Sequence, residues 1–364
     1  LKDESKHEKF AGKYKKRLRT IMTTANMAEA FRAIEKDPGL SNTTRFLGQS
    51  FYVSIKDAYC HQAYSTGDKI TLIDYRGLLA LFFLSILTVI RMKKAGAIFF
   101  SADSGLSMGD DGIINDKYSV FLDADKAWHC IAVSSLRELP TAYELYRANI
   151  IADNILLMPF NLLLRPIFSA IVRCFLKKKV FELCNLFNGH GLILEPDWVR
   201  AVVARDFVRY VCYKAFIRIA GAKTVYLVSA SGRSFIVNAA RSLNAVCIEI
   251  QHGICGPIHR GFNYQCSPEI IAAPDFLLVW NEYWRNEAIS GGFFNTSQVK
   301  IARPPGSDCR GCAIGDRLPC VATSIAKRYI VFTGQPVVVG QICSQIEEIY
   351  PSLIQKDLYF VYKF

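Results

Sequence analysis

The 364 residues hold no uninterrupted apolar run long enough to cross a bilayer. The longest, Gly77 to Ile90, covers 14 residues before Arg91, Lys93 and Lys94 end it, short of the roughly 20 that a span needs; a buried helix is the expectation there. Lys2 to Arg19 does not read as a secretion signal, since it carries eight Lys or Arg against three acids and no apolar segment follows. Glycine (23) and proline (13) are too few for a collagen-like or mucin-like chain. The 12 cysteines are scattered rather than arrayed, which excludes a small disulfide scaffold. Without a secretion signal, they point to a reducing cytosol. Neither GxGxxG nor a Walker loop occurs, so a dinucleotide or ATP assignment has no support. No basic motif interleaved with aromatics occurs either, and nucleic acid is not an expected partner.

What is present is a long, apolar, basic chain. Hydrophobic residues make up 51%, enough for two medium domains, and 44 Lys and Arg against 32 Asp and Glu leave a formal charge of +12. Residues 1–20 read as a basic arm, either merely solvated or drawn to anionic phospholipid or a polyanionic substrate. Ile155 to Leu176 is apolar but broken by Pro159, Asn161, Arg165, Pro166 and Arg173, and Lys177, Lys178 and Lys179 follow it. That composition fits a helix lying on a membrane and equally a core helix with a snorkelling basic end. Cys174, Cys184, Cys212 and Cys247 lie inside apolar runs, where thiols act as small core residues. Cys309, Cys312 and Cys320 form one CxxC plus a third thiol without a regularly spaced fourth ligand, so no metal is expected.

The order is clearest in the middle. Asp197 to Ala220 has helical spacing, and Gly221 stands where a helix end favours glycine. Thr224 to Ser229 reads as a strand buried on both faces, Ser231-Gly232-Arg233 as a turn and Ser234 to Leu243 as a helix capped by Ser234. Val246 to Ile250, Phe276 to Trp280 and Val299 to Ala302 read as strands, with a helix over Glu282 to Ile289. Earlier, Tyr75 to Lys94 is a helix candidate and Ala97 to Ser101 a strand candidate. Strands alternating with helices at these intervals predict an α/β fold with a doubly wound, Rossmann-like parallel sheet over residues 21–302. Residues 303–326 read as a linker. Residues 327–364 read as the start of a second, incomplete α/β unit, with strands at Tyr329 to Phe332 and Leu358 to Tyr362 and a helix over Val338 to Ile349.

Ligands of open parallel sheets gather at the carboxyl ends of strands, and three polar clusters fall at such places. Gly109-Asp110-Asp111-Gly112 is either a surface turn or a held acid pair, one member serving as a general base. Ser229 to Ser234, with Ser231, Arg233 and Ser234, is either a helix start or an anion cradle. Gln251-His252-Gly253, with His259 and Tyr264, projects from a strand end, where an imidazole exchanges protons near neutral pH. Glu249 is expected to be a structural partner.

EIQHG, HRGFNY and PDFLLVWNEYW, spanning about Trp198 to Ala302, resemble the N-terminal half of bacterial surface-polysaccharide glycosyltransferases of GT-B architecture, the sialyltransferase-like and Kdo-transferase-like group. GDDG is similar to the acidic motif of bacterial sialyltransferases. The resemblance implies a GT-B-like fold, with residues 21–302 as the acceptor-side domain and 327–364 as the start of a donor-binding domain. It implies transfer of a sugar, favoured as a CMP-linked acidic sugar such as sialic acid or Kdo, to a hydroxyl of a surface glycan, with no cofactor. Asp111 would be the base, beside Asp110 and Gly112, and His252 would orient substrate or stabilise charge. Gln251, Gly253, His259, Tyr264, Ser231, Arg233 and Ser234 would line the cleft. The implied partners are a nucleotide-sugar donor, a free or lipid-linked glycan acceptor and, peripherally, an anionic membrane, at the cytoplasmic face of the plasma membrane. The His-Pro motif that holds the donor in that group is missing here. A non-catalytic glycan- or nucleotide-binding remnant and a GT-B-like nucleotide-sugar epimerase therefore stay open as alternatives.

Overall fold

A computed structural model describes residues 24–46, 48–64, 75–91, 94–102, 106–109, 112–115, 127–133, 141–251, 264–267, 270–302, 328–333 and 358–363. The chain divides into two compact units, Leu1–Pro305 and Gly306–Phe364. In chain order the strands of the first are β1 (Arg45–Phe46), β2 (Gln49–Ser50), β3 (Ala97–Ala102), β4 (Leu106–Gly109), β5 (Gly112–Asn115) and β6 (Ala127–Ala132). There follow β7 (Ile150–Ala152), β8 (Thr224–Val228), β9 (Val246–Ile250), β10 (Phe276–Val279) and β11 (Val299–Ile301). In the second unit, β12 (Arg328–Thr333) and β13 (Leu358–Lys363) pair in parallel.

Seven strands form one sheet in the order β11-β10-β9-β8-β3-β6-β7, and every neighbouring pair is parallel. The chain starts in the middle at β3, moves outward through β6 and β7, crosses back to β8 on the other side of β3, and moves outward again. That is the doubly wound order, and its direction reverses between β3 and β8, where a parallel sheet opens a crevice at its carboxyl edge. β6 and β7 are missing from the sequence reading. AWHCIA is chemically mixed, and IIA spans three residues directly ahead of a helix.

The crossover from β7 to β8 carries three helices, Asp153–Phe175, Lys177–Gly189 and Pro196–Ala220. The last begins on Pro196, whose missing N–H costs nothing in a first turn, and ends on Gly221 at φ 69°, the left-handed cap expected there. It serves two cores. Val199, Val202, Val203 and Ala204 pack with the amino-terminal helices Thr24–Glu35 and Tyr52–Tyr64. Val208, Tyr213, Phe216 and Ile217 pack under Phe100, Trp128 and Val225 of the sheet. Each fully buried large apolar side chain contributes about 1.5–3 kcal/mol. Arg205, Asp206 and Arg209 lie on the stretch between the two packed halves.

β8 departs from the expectation of burial on both faces. Val225 and Leu227 are buried, while on the opposite face Thr224 and Tyr226 are half-buried and Val228 is buried with Phe99 and Ile250. Cys174 is exposed, unlike the buried Cys184, Cys212 and Cys247, because it falls on the outer side of its helix. The expected helix over Val338 to Ile349, the basic arm, the linker and the three clustered cysteines lie outside the described residues.

Candidate functional site

The reversal point is built first by the loop after β8. Ser229 takes φ 64°, an uncommon backbone for a residue with a Cβ, and turns the chain so that the Ala230 N–H donates to Glu249 Oε1 at 2.8 Å. Ser231–Arg233 then forms a 3-10 turn that runs directly into the helix Ser234–Ser242. Ser234 is therefore inside the helical path and caps nothing. Its buried hydroxyl meets Ser54 Oγ at 2.6 Å. Arg233 reaches across the reversal point, its Nη2 donating to the Ser101 carbonyl at the end of β3 at 2.6 Å. Its Nη1 is buried without a partner.

A second group comes from the end of β7. Asp153 follows the strand immediately and is fully buried. Tyr213 donates its hydroxyl to Asp153 Oδ2, while Oδ1 has no partner. Burial pushes the Asp153 carboxyl up to about 6, against the opposing pull of the Arg233 charge and the Tyr213 hydrogen bond. No hydrogen bond joins Asp153 to Arg233, so each presents an unmatched polar atom in a desolvated place. Such atoms are costly unless a ligand or water satisfies them.

Above these groups lies a cleft of about 490 Å³ lined by Met158, Asn161, Leu162 and Arg165 on one wall, Arg205, Arg209 and Tyr213 on another, and Gly232, Arg233 and Phe235 at the turn. A second lobe of about 520 Å³ shares Arg205, Arg209 and Gly232 and adds Ser54, Asp57, Trp198, Asp206, Ser231 and Ser234. Four arginines thus ring the first lobe, and among the described residues no acidic side chain lines it. Asp206 orients two of them, its Oδ1 accepting from Arg205 Nε at 2.7 Å and Arg209 Nη1 at 3.4 Å. Arg209 also stacks over the Phe235 ring at 5.2 Å, a contact a lysine would not hold as well. Its burial pulls it below the usual arginine range, with Asp206 opposing.

On the other face of the sheet, Ser101 Oγ and His129 Nε2 lie 3.0 Å apart. Burial lowers His129 to about 4, so the ring is neutral near pH 7. The expected site residues divide between these surroundings and others. Ser231, Arg233 and Ser234 line the groove. Gln251 is fully buried at the end of β9, where its Oε1 accepts the Trp280 N–H at 3.0 Å. Tyr264 is also buried, stacked on Phe293 at 5.0 Å with Lys56 Nζ 4.4 Å over its ring. Both sit in packed surroundings rather than on the groove. Gly112 begins β5 and pairs with Gly109 across an antiparallel hairpin. Asp110, Asp111, His252, Gly253 and His259 lie outside the described residues.

Glu249 takes the structural part expected of it at Ala230. Its Oε2 has no partner, and burial raises the carboxyl to about 8. Asp153, Tyr213, Arg165, Arg205 and Arg209 are absent from the sequence candidates. Asp153 carries a usable signal, a polar residue directly after an apolar strand, but that strand is only three residues long and does not declare itself in the sequence. The arginines carried none, since on a helix they look like a solvated face. Among the described residues, no three His, Cys, Asp or Glu are placed to share a metal ion.

No family model matches this chain, and neither the curated proteins nor the solved structures yield a match. The fold is α/β with an all-parallel seven-stranded sheet. The chemistry of its groove is the remaining guide to function.

Proposed function

We propose that the groove at the β3–β8 reversal binds a ligand bearing phosphate or carboxylate, and that it does so in the service of sugar transfer from a nucleotide-activated donor. The observation that carries the reading is the arginine quartet, Arg165, Arg205, Arg209 and Arg233, around Gly232, with no acid among the described residues that line that lobe and Asp206 holding Arg205 and Arg209 from the adjoining one. Guanidinium groups pair with planar and tetrahedral oxyanions through two parallel hydrogen bonds, and the quartet stands where open parallel sheets place their ligands.

Asp153 lies buried behind the same cleft and supports a proton-handling step there through Tyr213, which lines the cleft and donates to it. A carboxyl held near 6 is a more basic acceptor than an ordinary aspartate and is largely ionised at neutral pH. In the transfer, the acceptor hydroxyl oxygen would bond to the anomeric carbon of the donor sugar. The bond from that carbon to the nucleotide phosphate would break, the nucleotide leaving with the electron pair and the hydroxyl proton passing to a carboxylate. Asp111 remains the carboxylate that the sequence resemblance implies for this step, and Asp153 is the one that reaches the groove through Tyr213. The acidic-sugar donor, GT-B architecture and glycan acceptor belong to this same reading.

Titration calorimetry of the full chain with CMP, UDP and their sugar conjugates tests the binding half. The arginine groove is expected to take the nucleotide or its acidic sugar, and Arg209→Ala to weaken it at least tenfold, since hydrogen bonds to charged groups are worth about 1.5–3 kcal/mol. No binding by any of these anions removes the reading. A transfer assay then separates the two carboxylates: Asp153→Asn and Asp111→Asn are compared for kcat against an unchanged Kd for the donor.

A further inference from the structure

We infer that the outer face of the Asp153–Phe175 helix seats the protein on an anionic lipid bilayer, lying in the plane of the surface rather than crossing it. The helix has the length and apolarity of a span, but its attachment rules that orientation out. Asp153 is buried against Tyr213, and Ile155, Leu156, Leu157 and Val172 are buried along one side. Leu164 and Phe168 pack on the core between them. A helix fixed to its own domain along this length cannot also be surrounded by lipid. The opposite side is apolar and open: Phe160 is 52% exposed, Leu163 71%, Ile167 56% and Phe175 81%. The first three recur at the spacing of one helical stripe.

Scattered exposed apolar residues need no explanation, whereas a continuous stripe does. The helix Tyr75–Arg91, whose Phe82, Ile86 and Val89 pack on the same core, carries a second stripe. There Leu79, Phe83, Leu87 and Ile90 stand 48–74% exposed. Charge names the occupant. From Asn154 to Lys179 there is no acidic residue, while Arg165, Arg173, Lys177, Lys178 and Lys179 are basic and all exposed. Apolar side chains flanked by cations of one sign match acyl chains beneath anionic headgroups. Met158, Asn161, Leu162 and Arg165 of this helix also line the arginine cleft. The mouth of that cleft is thereby brought to the lipid surface, whatever ligand it holds.

The test is co-sedimentation of the full chain with vesicles of phosphatidylcholine alone and of phosphatidylcholine with an equal part of phosphatidylglycerol. Pelleting with the anionic vesicles is expected, weakening as salt rises. Leu163→Asp with Ile167→Asp is expected to lower the partition at least about tenfold. Lys177→Glu with Lys178→Glu is expected to lower it on anionic vesicles only. None of these residues lines the groove, so nucleotide binding by calorimetry stays at the parent level and separates this inference from the functional reading. A parent chain left in the supernatant with both vesicles overturns the inference, as does a Leu163→Asp, Ile167→Asp protein that pellets like the parent. A lipid-free dimer that the same pair of substitutions dissociates also overturns it, in favour of a second copy of the chain.

Discussion

Two buried carboxyls make the interior of this protein sensitive to pH. The folded Glu249 titrates at about 8 against an ordinary 4.5, with burial as the main cause and the Ala230 N–H acting the other way. A group raised on folding lends its full stabilisation below the unfolded value and loses it as pH climbs to the folded one. Glu249→Gln keeps an acceptor for Ala230 and cannot ionise. The advantage of that variant over the parent is expected to grow across the window from 4.5 to about 8, reaching on the order of 2–4 kcal/mol by urea denaturation. Asp153 works in the same direction between 3.8 and about 6. His129 works in the opposite one: lowered from 6.5 to about 4 by burial, it takes stability away as pH falls through that interval. Summed over these three groups, the histidine offsets one of the two carboxyls up to 6.5, and the parent is expected to lose stability on balance as pH climbs from 4.5 to about 8.

At the scale of elements, the position of the groove depends on how helices end and what ties them. Gly221 closes the Pro196–Ala220 helix at φ 69°, where a Cβ would meet the Lys94 side chain at 3.4 Å. Gly221→Ala is expected to lower stability by about 1 kcal/mol, measured as a shift in the urea midpoint with unchanged slope. The amino-terminal helices are tied by a buried pair, Lys56 Nζ to Glu35 Oε1 at 2.7 Å. Tyr52 donates to the same carboxyl at 2.9 Å and the Gln265 N–H to its other oxygen at 2.8 Å. Removing the cation alone strands a buried carboxylate, so Lys56→Met is expected to cost about 3 kcal/mol. Lys56→Met with Glu35→Gln should recover part of that loss in the same denaturation experiment. Helices and strands with one dominant period were legible before the structure: Pro196–Ala220, β9 and Glu282–Ser290 stand within a residue or two of their expected ends. The pieces that escaped were short or chemically mixed, as β6, β7 and the helix Ala142–Arg147 are. Their identity comes from the neighbours they pair with rather than from their own side chains.

For the molecule as a whole, a formal charge of +12 adds to the positive field of the arginine quartet, which on the proposed reading draws anions to the groove. Long-range attraction is screened within about 8 Å at physiological salt, whereas hydrogen bonds inside the cleft are not. Raising the salt concentration should therefore slow ligand association more than it speeds release, a split that stopped-flow mixing resolves. Alternation of strand and helix, the glycine cap at Gly221 and the small-residue turn after β8 are local properties, set by backbone geometry and side-chain periodicity, and the amino-acid order alone determined them. That β8 lies beside β3 rather than beside β7 depends on which faces can be buried together across more than a hundred residues, and only the tertiary structure decided it. The same distinction separates the site residues. Ser231 and Arg233 announce a strand-to-helix turn in any context, but Asp153, Tyr213 and Arg209 become a site only when two helices and the sheet edge meet. Burial there removes the water that would otherwise leave each of them an ordinary surface group.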